Sequence, residues 1–219
     1  GETVAIIGAT GSGKSSIVNL IPRFYDAHDG QVLVDGVDVR EWKQADLRNR
    51  IAYVPQKATL FSGTISSNID YGSAMEEITP ADIVQAAQVS AAAEFVAEKE
   101  DGYASHVAQG GTNVSGGQKQ RLSIARAVAR GAEIMIFDDS FSALDYRTDR
   151  DVRAALRAHA GQATMIIVAQ RIGTVRNADQ IIVVDRGRVV GQGTHTELMA
   201  TNEGYREIAC SQLSEEELA

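Results

Sequence analysis

At 219 residues, 44% hydrophobic and 23% charged, the chain is long enough to bury a core as one globular domain, or one domain with an insertion. A formal charge of −8 argues against non-specific nucleic-acid binding, which needs a clustered positive face, so no nucleic-acid partner is expected. The single cysteine, Cys210, excludes an internal disulfide and fits a reducing cytosol. No apolar run approaches the roughly 18 residues that span a bilayer, so this chain by itself is expected to be soluble.

The chain opens on the apolar run TVAII, of which Val4–Ile7 reads as a strand; so little precedes it that a fragment is expected. Residues 8–15 follow at once as GATGSGKS, matching G-x-x-x-x-G-K-[ST] at Gly8, Gly13, Lys14 and Ser15, and a helix over 14–21 comes next. Strand, glycine loop and helix in that order are the context the motif requires. The glycines let the backbone curl so that successive N–H groups point inward at phosphate oxygens, and the helix start adds partial positive charge. Lys14 is expected to reach the β- and γ-phosphates and the Ser15 hydroxyl to bind Mg²⁺. Gly8, Thr10, Gly11, Ser12, Gly13, Lys14, Ser15 and Ser16 are the candidate nucleotide-binding residues. A Gly-rich turn matching by accident would leave the flanking strand and helix unexplained.

Further strands are predicted at Val32–Val34 and Ile51–Val54. The stretch 57–132 differs, with helical runs near 64–69, 79–89 and 91–98, a Gly-rich loop at 110–117, a helix over 115–130 and no convincing strand. It reads as a helical subdomain inserted into a sheet domain formed by 1–56 and 133–219. Within it, NVSGGQ (113–118) opens the last helix. A Ser-Gly-Gly turn there is either a second anion site built from backbone N–H groups, with Ser115 as cap and ligand, or an ordinary capped helix. Strands at Ile134–Phe137, Met165–Val168 and Ile181–Val184, with helices at 147–159 and 172–177, complete an alternating α/β pattern. Several of these strands are apolar at every position, as strands covered on both faces must be.

Together, GATGSGKS, YVPQ (53–56), NVSGGQ, IMIFDD (134–139) and SALD (142–145) resemble the nucleotide-binding domain of ABC transporters, in order and spacing and over essentially the whole chain. The resemblance implies an α/β P-loop NTPase (RecA-like) core with an inserted α-helical subdomain, ATP and Mg²⁺ as cofactors, and ATP hydrolysis coupled to transport. It also implies transmembrane domains not in this chain, reached through coupling helices, which would hold it at the cytoplasmic face of the cell membrane. In that family two domains pair head to tail around two ATP molecules, so Ser115, Gly116, Gly117 and Gln118 would serve a nucleotide held by the partner. VPQKATLFSGTISSNI (54–69) and HVAQGGTNVSGGQ (106–118) are similar to the exporter versions of their segments. Gln56 would then bind Mg²⁺ and couple nucleotide to the membrane helices, Asp138 would hold Mg²⁺ through its water shell, and Asp145 would lie at the dimer seam. Taken alone, Gln56 reads as a loop residue and Asp145 as an acid at a helix start. The family's adenine-stacking aromatic would lie before Gly1.

Two positions depart from the family. Asp139 stands where hydrolytically competent members carry the glutamate that polarises the attacking water; its carboxylate is one C–C bond, up to ~1.5 Å, shorter in reach. A misplacement of about 1 Å can cost roughly a hundredfold in rate. Gln170, in TMIIVAQRIGT (164–174), stands where the family typically has histidine, and a neutral amide has no titratable proton. None of the histidines at 28, 106, 159 and 195 is spaced to replace it; His106 reads as loop and His195, in GTHTEL, as a helix start. Asp139, Gln170 and Gln56 are the catalytic candidates, with slow turnover expected at this chain's own site. The intact NVSGGQ points to a heterodimeric exporter whose other nucleotide-binding domain carries the competent site. A homodimer with two slow sites and a regulatory module with little hydrolysis are the alternatives. A soluble ABC protein of translation or DNA repair usually has tandem domains or long insertions, and a P-loop kinase has no use for NVSGGQ. Substrate choice would reside in helices this chain lacks. The tail SEEELA (214–219) reads as a frayed helix end.

Overall fold

A computed structural model of the chain describes residues 1–72 and 77–213. Strand β1 (Thr3–Ile7) leads into α1 (Lys14–Leu20); β2 (Leu33–Val34), β3 (Val37–Asp38) and α2 (Gln44–Asn49) precede β4 (Ile51–Val54). Then come β5 (Gly63–Thr64), α3 (Ile65–Ile69), α4 (Pro80–Val89), α5 (Ala92–Ala97), β6 (His106–Val107) and α6 (Gly116–Ala129). The remainder alternates β7 (Ile134–Asp138), α7 (Tyr146–Ala160), β8 (Thr164–Ala169), α8 (Ile172–Val175), β9 (Gln180–Asp185) and β10 (Arg188–Gly193), and closes with α9 (His195–Thr201) and α10 (Glu203–Gln212).

One sheet of six strands runs β10-β9-β1-β8-β7-β4, parallel except for β10. Its central strands are apolar along most of their length because both faces are covered. Ile6 and Ile136 pack with Val18 and Leu47 on one face, while Ala5, Ile7, Met135 and Phe137 face the other core with Leu122 and Val152. The strand order sets the carboxyl ends of β1, β8, β7 and β4 side by side. Their outgoing loops therefore share one edge, where ligands bind in open parallel sheets. This is the α/β P-loop arrangement expected from the sequence. Among the described residues no helix is long and apolar enough to cross a membrane.

Several helices begin where a side chain can cap them: Thr64, Thr79 and Ser115 each accept from the backbone N–H three residues on. These are the polar residues at or just before the predicted helix starts.

The structure corrects the sequence reading in places. The stretch 57–132 does contain strand: β5 and β6 pair antiparallel, Gly63 opposite Val107 and Thr64 opposite His106, so His106 lies in a strand and not a loop. The run at Val32–Val34 enters a separate hairpin with β3, not the main sheet. Its turn is Asp35-Gly36, both at positive φ (52° and 77°), and the β9–β10 turn repeats the device with Arg186 and Gly187 at 46° and 74°. β3, β10, α2 and α10 were absent from the sequence reading, and α8 stops two residues before its predicted end. The tail 214–219 lies outside the described residues.

Candidate functional site

The loop between β1 and α1 is fixed by packing as much as by glycine freedom. Gly11 (φ 79°) and Gly13 (φ 102°) occupy the left-handed region, and Gly13 caps α1 there. At Gly8 the demand is steric: a Cβ would lie 2.0 Å from the carbonyl oxygen of Val184. The turn after β9 closes over the loop, with Gly187 N–H donating to the Ser12 carbonyl at 2.8 Å. Lys14 is buried, and its Nζ donates to the carbonyls of Gly8 and Ala9, each at 2.8 Å, and to Ser12 Oγ at 3.4 Å. Burial holds the Lys14 pKa below the ordinary lysine value, opposed by the charges of Asp139 and Asp138.

Asp138 ends β7 beneath this loop and is itself buried. Ser15 Oγ donates to its Oδ1 at 2.8 Å, and the Tyr53 hydroxyl lies 3.0 Å from Oδ2 and 2.9 Å from Asn19 Oδ1. Burial, reinforced by the Asp138 charge, pushes the Tyr53 phenol far up, so it remains a neutral hydrogen-bonding group. The serine hydroxyl and the aspartate carboxylate thus meet directly.

Asp139 sits one residue on with φ 47°, a left-handed conformation that aspartate tolerates better than most side chains, while its N–H bonds Val168 O at 2.9 Å. Two amides converge on one of its oxygens: Gln56 Nε2 donates to Oδ2 at 2.9 Å and Gln170 Nε2 donates to the same atom at 3.1 Å. The other end of Gln170 accepts from Thr10 Oγ1 at 3.2 Å, so the loops after β1, β4, β7 and β8 meet at this carboxylate. Burial raises the Asp139 pKa, and the bonds from Gln170 and Gln56 oppose it. Thr10, Lys14, Ser15, Gln56, Asp139 and Gln170 line one open cavity, and Gly11, Gly13 and Ser16 border it.

The second glycine motif lies outside that cavity. Ser115 caps α6 in a reciprocal box: its Oγ accepts from Gln118 N–H at 3.2 Å and its own N–H donates to Gln118 Oε1 at 3.0 Å. Ser115 and Gly116 are exposed, and a Cβ on Gly116 would meet nothing within 4 Å. Packing among the described residues therefore does not explain a glycine there. A Cβ on Gly117 would lie 3.5 Å from the carbonyl of Ala143, which joins this motif to the SALD segment. Asp145, exposed, caps α7 by accepting from Thr148 N–H at 3.0 Å; that bond holds its carboxyl below the usual range.

Residues 1–142 match the family model described as "ABC transporter". The chain belongs to the ABC transporter family. It is 52% identical over 213 residues to an uncharacterized ABC transporter ATP-binding protein of Mycobacterium tuberculosis, covering 97% of this chain and 36% of that protein. It is 40% identical over 215 residues to the ATP-dependent lipid A-core flippase of Haemophilus ducreyi, covering 98% of this chain and 37% of the flippase. A bacterial Atm1-family ABC exporter solved with ATP bound superimposes with a TM-score of 0.92 at 39% identity, over 98% of this chain and 37% of that one. The chain thus spans just over a third of the length of the relatives it matches.

Of the ABC transporter motifs quoted from the sequence, the phosphate loop, Gln56, Asp138, Asp139 and Gln170 come together, while 115–118 and Asp145 lie elsewhere. The sequence reading missed Tyr53, whose hydroxyl lies within hydrogen-bond distance of both Asp138 and Asn19. Tyr53 opens the quoted YVPQ, so its position was visible; its hydroxyl contact was not.

Proposed function

We propose that this chain is the ATP-binding domain of an ABC exporter, gripping ATP firmly and hydrolysing it slowly at its own phosphate loop. The observation that carries the reading is the convergence of two neutral amides, from Gln56 and Gln170, on a single oxygen of the short carboxylate Asp139. Hydrolysis needs a water oxygen to attack the γ-phosphorus while the bond to the β–γ bridging oxygen breaks and the water's proton passes to a base. Asp139 is the base; the two amides steady its carboxylate at Oδ2, but its reach is one C–C bond short. Gln170 can orient by hydrogen bonding but carries no exchangeable charge. Lys14 and the loop N–H groups hold phosphates.

Ser15 Oγ, Asp138 and the amide oxygen of Gln56 are the hard oxygen donors Mg²⁺ prefers. No group of three or more His, Cys, Asp or Glu gathers among the described residues, which suits an ion that keeps waters and substrate phosphates as ligands. The ion would supply charge neutralisation at the β- and γ-phosphates.

The exposed Ser115–Gly116 turn, with open space where a side chain would stand, supports a role toward a nucleotide held by a second ABC domain. In that reading Ser115, Gly116, Gly117 and Gln118 complete the partner's site, Asp145 lies at the seam, and ATP binding draws the two domains together. Transmembrane domains outside this chain would be driven through coupling helices at the cytoplasmic face of the membrane. Because one site is impaired and the motif serving the other is whole, the partner is a different subunit. Purification of the full-length protein from its own membrane through a tag on this chain tests this. A second, non-identical ABC subunit in equal amount is expected; a preparation holding only copies of this chain would replace the reading with a homodimeric exporter.

A further inference from the structure

Gln212 closes α10, and both ends of its side chain are engaged. Nε2 donates to the carbonyl oxygen of Gln170 at 2.9 Å, and Oε1 accepts from the backbone N–H of Ile172 at 2.9 Å. These two backbone groups flank Arg171, so one amide bridges them much as a neighbouring strand would, just beyond the end of β8. Arg171 is the N-cap of α8 yet makes no side-chain cap bond, and Ile172 N–H is among the donors a helix leaves unpaired at its start. Gln212 supplies that missing partner from a distant helix.

Helix α10 is built to hold the amide there. Tyr205, Ala209 and Gln212 fall four and three residues apart on one face, and the first two are fully buried. The Tyr205 hydroxyl lies 2.7 Å from His195 Nδ1 in α9, and Asn202 both accepts from Tyr205 N–H at 2.8 Å and donates to Val190 O in β10 at 2.9 Å. The base of α10 is therefore tied to β10 and α9, and its tip to the loop after β8. A polar amide continuing an apolar stripe breaks the helix's own pattern, which is where function tends to be found. On its far side that same loop carries the Gln170 amide, bonded to Asp139 Oδ2 and Thr10 Oγ1.

We propose that Gln212 is a positioning residue: by holding the backbone at 170 and 172 it fixes the aim of the Gln170 side chain at Asp139. Helix α10 thereby sets the turnover of this chain's own nucleotide site. The proposal rests on the reading of that site given above.

The test uses the full-length protein in its assembled transporter, with the opposite site inactivated. MgATP affinity, single-turnover ATP cleavage and hydrogen exchange at the Ile172 amide are measured together. Gln212→Ala is expected to leave MgATP affinity within about twofold, to slow cleavage on the order of tenfold, and to speed exchange at Ile172. In a Gln170→Ala background the same change should produce no further slowing, because the two residues act through one another. Gln212→Glu keeps the acceptor for Ile172 but sets a carboxylate against the Gln170 carbonyl; it too should slow cleavage, so a folding defect in one variant does not decide the matter. Equal slowing with and without Gln170, or faster exchange with an unchanged cleavage rate, overturns the positioning role. Failure of the unaltered protein to bind MgATP would instead overturn the nucleotide-site reading.

Discussion

Lengthening the carboxylate at position 139 and restoring an imidazole at 170 should raise the cleavage rate at this chain's site. Asp139→Glu advances the carboxylate by up to ~1.5 Å, one C–C bond. If about 1 Å of misplacement costs roughly a hundredfold, about 2.7 kcal/mol of barrier, the single change should recover a tenfold to hundredfold gain. Glutamate is less tolerant than aspartate of the left-handed backbone at 139 (φ 47°), so a stability loss of up to about 1 kcal/mol should accompany the gain. Gln170→His replaces the amide that donates to Oδ2 at 3.1 Å with a ring that can donate there as well and that titrates near neutrality. The double variant should exceed either single one, but not as the product of the two, because both act on the same oxygen. Single-turnover cleavage in an assembled transporter, with the opposite site silenced, measures this. Rates within about twofold of the unaltered chain, at unchanged MgATP affinity, would refute the geometric reasoning.

Other consequences are sharp enough to check. Gly8→Ala sets a Cβ 2.0 Å from the Val184 carbonyl, a backbone atom that cannot step aside. The phosphate loop must shift, so nucleotide titration should show at least about tenfold weaker MgATP binding, and melting should fall by several degrees for an overpacking cost of about 1–3 kcal/mol. Gly116→Ala adds a Cβ that meets nothing within 4 Å, so this chain should melt within about two degrees of the original and bind ATP as before, while the assembled transporter's ATPase drops on the order of tenfold or more. Burial, with the nearby charge of Arg176, depresses the His195 pKa, so the unfolded chain binds that proton more readily. Stability from this residue is whole above about pH 6.5 and declines as pH falls toward the lowered folded value; His195→Gln should flatten that part of a denaturation-versus-pH profile.

What was legible in the sequence follows from how each feature is encoded. Strands buried on both faces announce themselves as unbroken apolar runs, so β1, β4, β7, β8 and β9 were found nearly to the residue. β10 was not, since its Val189 and Val190 are exposed and its neighbours are glycine and polar residues. The Asp35-Gly36 turn was a hairpin signal available but unused. At the site, GATGSGKS could be recognised between its strand and helix, but not that Val184 in β9 and Gly187 in the turn after it close over the loop. Nor could it be read that Gln56 and Gln170 share one oxygen of Asp139, because the residues come from loops 31 to 114 positions apart that only the strand order brings together. Gln212 carries no motif at all; its role arises from where α10 docks.

The most direct measurement loads the assembled full-length transporter with labelled ATP, lets it turn over with excess unlabelled ATP, and follows which subunit keeps the label. The account predicts label retained at this chain's phosphate loop through many turnovers of the opposite site. Label lost from both subunits at the same rate would contradict it.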